Sequence, residues 1–197
     1  MSTLSQTLTC AQEQWSPGIG DAHLMGWVIV GVYAMTALTA LTLAVRNAFD
    51  GPGAAREQIF WAGIGIVLAF LAVNKQLDLQ SLMTAIGRCH AQLAGWYDDR
   101  ATVQRAFIRG LALGALVTAL ALAWFLRASL RRNALAVLGF AFVLGFVVIR
   151  AVGFHDVDRL ISAEWQSVRV NWILELTGLV LILMVAIPRL RTVKQPS

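Results

Sequence analysis

The stretch IFWAGIGIVLAFLAVNKQLDLQ, Ile59 to Gln80, decides how this chain is organised. It begins with fifteen apolar residues, Ile59 to Val73, and passes without a Gly or Pro turn signal into the polar heptapeptide Asn74 to Gln80. Fifteen helical residues cover about 22 Å, whereas the hydrocarbon core of a bilayer is about 30 Å thick. A helix that crosses a membrane here must therefore continue into the heptapeptide or leave it at headgroup depth.

The composition of the whole chain is that of a membrane protein. Hydrophobic residues make up 58% of the 197 residues and charged residues 14%, and the mean hydropathy is +0.67. Soluble domains carry about 25% charged residues. The composition therefore excludes an ordinary soluble domain and predicts apolar segments that are long enough to cross a bilayer.

Five apolar runs are candidates for membrane spans. None of them alternates between apolar and polar residues, and a lipid environment requires each backbone to satisfy its own hydrogen bonds, so helices are expected rather than a barrel. The sequence predicts an all-α polytopic transmembrane helix bundle that forms a single integral-membrane domain over residues 1–197. Its five spans are expected at about 24–45, 59–73, 107–126, 134–152 and 172–187.

Basic residues predict the orientation of these spans. Eight of the 16 Lys and Arg residues lie in the short segments that would share the side of the C-terminus, which hold only two acidic residues, Asp50 and Glu57. The positive-inside rule then predicts an N-out, C-in orientation. The expected location is the bacterial inner membrane. These basic residues sit at span ends, so the expected contact is with membrane lipid and not with nucleic acid. They are Arg46, Arg56, Arg127, Arg131, Arg132, Arg189, Arg191 and Lys194.

An amphipathic helix is predicted after the second span, over about 76–96. Its apolar residues recur at intervals of three or four, with polar residues between them. Such a helix would lie flat on the outer membrane surface or fold over the mouth of the bundle. The apolar positions are Leu79, Leu82, Met83, Ile86, Leu93 and Trp96.

The segment FHDVD, Phe154 to Asp158, contains a possible metal site. His155 and Asp158 are three residues apart and would face the same way on a helix. Imidazole and carboxylate ligands suit a divalent metal: Zn, Mn or non-haem Fe. The alternative is an interfacial histidine that meets water.

Two charged residues are predicted inside spans at matching depth, Arg150 and Glu175. Charges within a membrane are costly and are usually paired, so an Arg150–Glu175 ion pair is one expectation. The alternative is that Glu175 is a general acid or base, or a further metal ligand.

The two cysteines and a glycine pair leave further alternatives open. Cys10 and Cys89 are both placed on the outer side by the predicted topology, where they would form a disulfide or remain two free thiols.

Gly110 and Gly114 form a GxxxG motif in the third span. This motif permits close helix approach within the bundle or to another subunit.

The polar segments together resemble a group of uncharacterised bacterial multi-span membrane proteins. The resemblance rests on NKQLDLQ, followed by GR, WY, FHxVD and N-x-x-LEL in that order, and covers roughly Ile59 to Leu183. Where the group often has a second His in FHxVD, this chain has Asp156. The resemblance implies no activity, but it implies that one outer-side polar site groups Asn74, Lys75, Gln76, Asp78, Arg88, Arg150, His155, Asp158 and Glu175.

Two functions are compatible with this pattern. The first is a non-catalytic accessory, scaffold or lipid-binding protein, with a membrane-protein partner or a second copy, whose polar site on the periplasmic side is structural. The alternative is a membrane-embedded, metal-dependent hydrolase or transferase acting on a lipid-linked substrate of the outer leaflet. In that enzyme Glu175 or Asp78 would be the acid or base, His155 and Asp158 would hold the metal, and the substrate would be bound by Asn74, Lys75, Gln76, Arg88 and Arg150.

Overall fold

The structure is a computed structural model, and it describes residues 3–16, 23–46, 49–95, 100–152, 164–165 and 168–192. Within these residues the chain is almost wholly helical, as the sequence predicts. One pair of two-residue strands is the exception, with Glu164 opposite Arg169 and Trp165 opposite Val168 in antiparallel register. The elements are α1 (Thr3–Gln14), α2 (Leu24–Val45), α3 (Ala54–Leu77), α4 (Leu79–Leu93), α5 (Arg100–Phe125), α6 (Leu130–Val152), β1 (Glu164–Trp165), β2 (Val168–Arg169) and α7 (Val170–Thr192).

Four of these helices are long and apolar enough to cross a membrane. They are α2, α3, most of α6 and most of α7, and each combines a core-facing side with large apolar side chains on its outside. Leu24, Ile66 and Met184 are each more than half exposed, an arrangement that suits a surrounding of lipid tails and not water. The protein is therefore a multi-pass membrane protein. The apolar part of α5, Arg109–Phe125, is shorter than the other four.

The heptapeptide NKQLDLQ is divided between two helices. Helix α3 continues through Asn74 to Leu77, so that its 24 residues cover about 36 Å, enough to cross the hydrocarbon core. Asp78 then adopts the left-handed conformation, with φ of 48°, and both ends α3 and precedes α4. Asp tolerates this conformation better than most residues, which explains how the chain turns without Gly or Pro.

Two helix pairs form the bundle, α2 with α3 and α6 with α7, and α2 also packs against α7. Glycines allow the closest approaches. A Cβ atom added at Gly178 of α7 would lie 2.6 Å from Cγ2 of Val143 and 2.8 Å from the backbone oxygen of Gly139, both on α6. A Cβ atom at Gly65 of α3 would lie 2.5 Å from Cγ of Leu41 on α2. Small residues thus set the helix spacing, as in many membrane bundles.

A disulfide joins α1 to α4 through Cys10 and Cys89, whose Cα atoms are 6.0 Å apart. Of the two alternatives that the sequence leaves open, the structure contains the bridge. Cys89 is fully buried in a small apolar cluster with Ala11 and Ala85, which holds the two helices together.

Helix α5 packs against α6 and leaves much of its own surface exposed. Leu113, Leu120 and Trp124 are each more than 60% exposed. A Cβ atom added at Gly110 or Gly114 would meet nothing within 4 Å. The GxxxG motif is therefore not used for packing within the described part of the bundle.

Candidate functional site

The bundle has two polar ends. The "disulfide end" is the one where α3 ends at Leu77 and α7 begins at Val170, next to α1 and α4. The "arginine end" is the opposite one, where α3 and α6 begin and α7 ends.

A buried ion pair lies at the disulfide end. Nζ of Lys75, in the last turn of α3, donates a hydrogen bond to Oε2 of Glu175, in the second turn of α7, at 2.9 Å. The two side chains are 6% and 4% exposed. Charges buried in this way are stable only when they are paired, because each would otherwise lose its hydration without compensation. The pair therefore ties α3 to α7.

A small cavity opens beside this ion pair. Its volume is about 20 Å³, which is room for roughly one water-sized particle and far below the ~300 Å³ of ordinary small-molecule pockets. Polar side chains from α2, α3 and α7 line it together with apolar ones. The lining residues are Tyr33, Leu71, Asn74, Lys75, Asp78, Phe146, Val147 and Glu175.

Two of the lining side chains have unused hydrogen-bonding capacity. Asn74 is 8% exposed, and its amide makes no hydrogen bond to any other described residue. The carboxylate of Asp78 does not cap α4 and likewise has no partner among the described residues. The cavity thus places an amide and a carboxylate next to the Lys75–Glu175 pair.

The structure brings together four of the predicted site residues: Asn74, Lys75, Asp78 and Glu175 all line the cavity. Arg88 is exposed on α4 and does not line it. The amide nitrogen and oxygen of Gln76 are buried, and neither has a hydrogen-bond partner in the described part of the chain.

The remaining predicted site residues fall outside what the structure describes. His155 and Asp158 lie between the described ranges, and so does the side chain of Arg150, although its backbone belongs to α6. The metal site and the Arg150–Glu175 pair therefore remain predictions. The described partner of Glu175 is Lys75. Among the described residues, no three His, Cys, Asp or Glu side chains lie close enough together to hold a metal ion.

The arginine end contains a polar network that sequence reasoning missed. Glu57, in the first turn of α3, is 1% exposed. It accepts hydrogen bonds from Arg132 of α6 at 2.6 Å and from Arg189 of α7 at 3.3 Å. Arg189 also donates to the backbone oxygen of Arg132 at 2.8 Å. One carboxylate therefore joins three helices.

Asn133 extends this network into the core. Its Oδ1 accepts a hydrogen bond from the indole N–H of Trp61 at 3.1 Å and one from Arg189 at 2.8 Å, while its own N–H donates to the backbone oxygen of Ser129. The Arg189 guanidinium also lies 5.7 Å from the ring centres of both Trp61 and Phe49, within the range of a cation–π contact.

A signal for this network was present in the sequence. Glu57 is one of two acidic residues among eight basic ones on the same side. A carboxylate at the start of a span, surrounded by arginines, is a natural partner for them. The specific choice of Arg132 and Arg189 depends on how α6 and α7 pack against α3.

Comparison with protein-family models, with curated proteins and with solved structures finds no significant match to this chain.

Proposed function

We propose that this chain is a non-catalytic accessory, scaffold or lipid-binding protein of the bacterial inner membrane. In this proposal the predicted polar site at the disulfide end is a structural latch, and it faces the periplasm. The protein contacts the surrounding membrane lipid. As a scaffold, it would also bind another membrane protein or a second copy of this chain.

The observation that carries the proposal is the pairing of Lys75 with Glu175. Glu175 is the candidate acid or base, and Lys75 is a candidate anion-binding group. Each is almost fully buried and is bound to the other, beside a cavity of about 20 Å³. A general base must reach the proton it abstracts, and a substrate needs space next to it. The arrangement favours a tie between helices over a reaction centre.

We further propose that α5 is a fifth span, although it is less apolar than the other four. The connectivity supports this. Helix α3 ends at the disulfide end, whereas α6 begins at the arginine end, where Arg132 meets Glu57. The chain between them must travel the length of the bundle. At 26 residues α5 is about 39 Å long, and Arg56 at the arginine end contacts the backbone oxygen of Phe125, its last residue.

Two independent features support the N-out, C-in orientation. Seven described basic residues, among them Arg132 and Arg189, lie at the arginine end of the bundle, as the positive-inside rule expects of a cytoplasmic side. The Cys10–Cys89 disulfide lies at the other end. Disulfides persist in oxidising compartments such as the periplasm. Both features favour the same orientation.

Metal analysis of the purified full chain separates this proposal from the metal-dependent enzyme. The protein would be extracted in detergent without chelators and analysed by mass spectrometry for Zn, Mn and Fe, beside a His155→Ala, Asp158→Ala double variant. We expect far less than one metal ion per chain in both proteins. A stoichiometric metal in the parent that is lost in the double variant would overturn the non-catalytic proposal.

A further inference from the structure

The described side chains that line the cavity at the disulfide end carry an unbalanced charge. Three ionisable groups line it: the ammonium of Lys75 and the carboxylates of Glu175 and Asp78. Lys75 is bound to Oε2 of Glu175. With all three ionised, the described lining carries one more negative than positive charge, at the end of a membrane bundle where a buried charge is costly to leave unpaired.

The cavity groups that have no hydrogen-bond partner among the described residues are suited to binding a cation. Oε1 of Glu175, both oxygens of Asp78 and the amide oxygen of Asn74 make no hydrogen bond to any other described residue. Carboxylate and amide oxygens are the ligands that hard cations prefer. The cavity also lies near the C-terminal end of α3, which carries the negative end of the helix dipole.

The size and charge of the cavity limit the choice of cation. A volume of about 20 Å³ admits one particle the size of a water molecule and excludes an organic headgroup. A divalent ion would leave an excess positive charge beside the ammonium of Lys75. Ca²⁺ also takes about six to eight oxygen ligands, more than these side chains supply. One small monovalent cation balances the charge of the described lining.

We propose that the cavity beside the Lys75–Glu175 pair binds one alkali-metal cation through Asp78, Asn74 and the second oxygen of Glu175. The ion would neutralise the excess charge and hold the Asp78 turn, at which α3 passes into α4, against α7. This inference rests on the proposed function, because it assigns a ligand to the same latch. The failure of the cation site and the failure of the proposed function can be told apart, because the metal analysis that tests the function does not involve Asp78 or Asn74.

The test is a cation titration of the full chain in detergent. Thermal unfolding is followed by intrinsic tryptophan fluorescence while choline chloride is replaced stepwise by NaCl or KCl at constant ionic strength. We expect a saturable rise in the apparent Tm of about 2–4 °C in one or both alkali salts, because a ligand that binds only the folded state stabilises it.

Three variants assign the effect to the cavity. Asp78→Asn removes the unpaired carboxylate, and Asn74→Leu removes the amide at similar volume; in each the midpoint of the titration is expected to move at least tenfold to higher salt. Glu13→Gln is the matched control, since Glu13 is an exposed carboxylate on α1 and its removal should leave the titration unchanged. The same Tm in choline chloride as in both alkali salts, or a rise that persists in both cavity variants, would overturn the proposal.

Discussion

Glu57 binds two arginines from different helices and so links three helices at the arginine end. Its two carboxylate oxygens are bonded to Arg132 and Arg189, which come from different helices and would otherwise face each other as like charges. Arg132 is half exposed, so its bond to Glu57 is partly screened, whereas Arg189 is largely buried. Most of the stabilisation from Glu57 is therefore expected to come through Arg189.

Glu57→Gln should destabilise the protein. The substitution keeps the size of the side chain but removes the charge that balances the two arginines. We expect a loss of about 2 kcal/mol, below the ~3–5 kcal/mol of a fully buried broken pair because Arg132 is partly solvated. The apparent Tm in detergent is the measurement. Glu13→Gln on α1 serves as the control, and an equal Tm for parent and Glu57→Gln would show that the network is not stabilising.

The candidate site could be predicted from the sequence only in part. Asn74, Lys75 and Asp78 are neighbours in one heptapeptide and Glu175 is an isolated acid within a span, so each residue attracts attention by itself. Whether these residues come together in the fold depends on whether α3 packs next to α7. The sequence favoured Arg150 as the partner of Glu175 because α6 and α7 are consecutive spans, yet α3 also supplies a cation, Lys75, within hydrogen-bond distance.

At the scale of helices, the contact between α6 and α7 depends on two glycines. Gly139 and Gly178 bring the two backbones so close that a Cβ atom on either would clash with the other's carbonyl oxygen. A backbone atom cannot move aside as a flexible side chain can. The helices must therefore separate if either glycine is enlarged.

Gly178→Ala should lower stability, whereas Gly114→Ala on α5 should not. The added methyl group at Gly178 meets the backbone of α6, and we expect a cost of about 1–3 kcal/mol. At Gly114 the same group enters open space, and the higher helix propensity of Ala is expected to make the change neutral or slightly favourable. Apparent Tm values of both variants in the same detergent provide the comparison. Equal losses would show that the close approach of α6 to α7 does not govern stability.

Helix boundaries were harder to predict than helices. The apolar run of the second span stops at Val73, but α3 begins at Ala54 and ends at Leu77, because helical hydrogen bonding continues through polar residues at both ends. Likewise α7 continues to Thr192 beyond the apolar run. Hydropathy marks the part of a helix that lies in lipid, whereas the length of a helix is set by its caps and packing.

For the whole molecule, the proposed topology makes a prediction about access to its two ends. Helix α1 should face the periplasm and the C-terminal end of α7 the cytoplasm. Gln12→Cys and Thr192→Cys place a thiol at exposed positions on these helices, while Cys10 and Cys89 are bonded to each other. A membrane-impermeant maleimide applied to cells with a permeabilised outer membrane should label residue 12 and leave residue 192 unlabelled until the inner membrane is disrupted. Labelling of residue 192 in intact spheroplasts would reverse the orientation.

In the proposed function, Lys75 and Glu175 form a latch that holds α3 to α7, rather than a reaction centre. A site kept for chemistry often costs stability, so removing its charged groups leaves the fold as stable or more so. A latch has the opposite signature, because each partner left alone is a buried, unpaired charge.

A double-mutant cycle on this pair is the most direct test. Apparent Tm values and denaturation free energies would be measured for Lys75→Met, Glu175→Gln and the two combined. We expect each single variant to lose about 3 kcal/mol or more and the double variant to lose clearly less than the sum, with a coupling of about 1–3 kcal/mol. Single variants that are as stable as the parent, with no coupling between them, would contradict the latch.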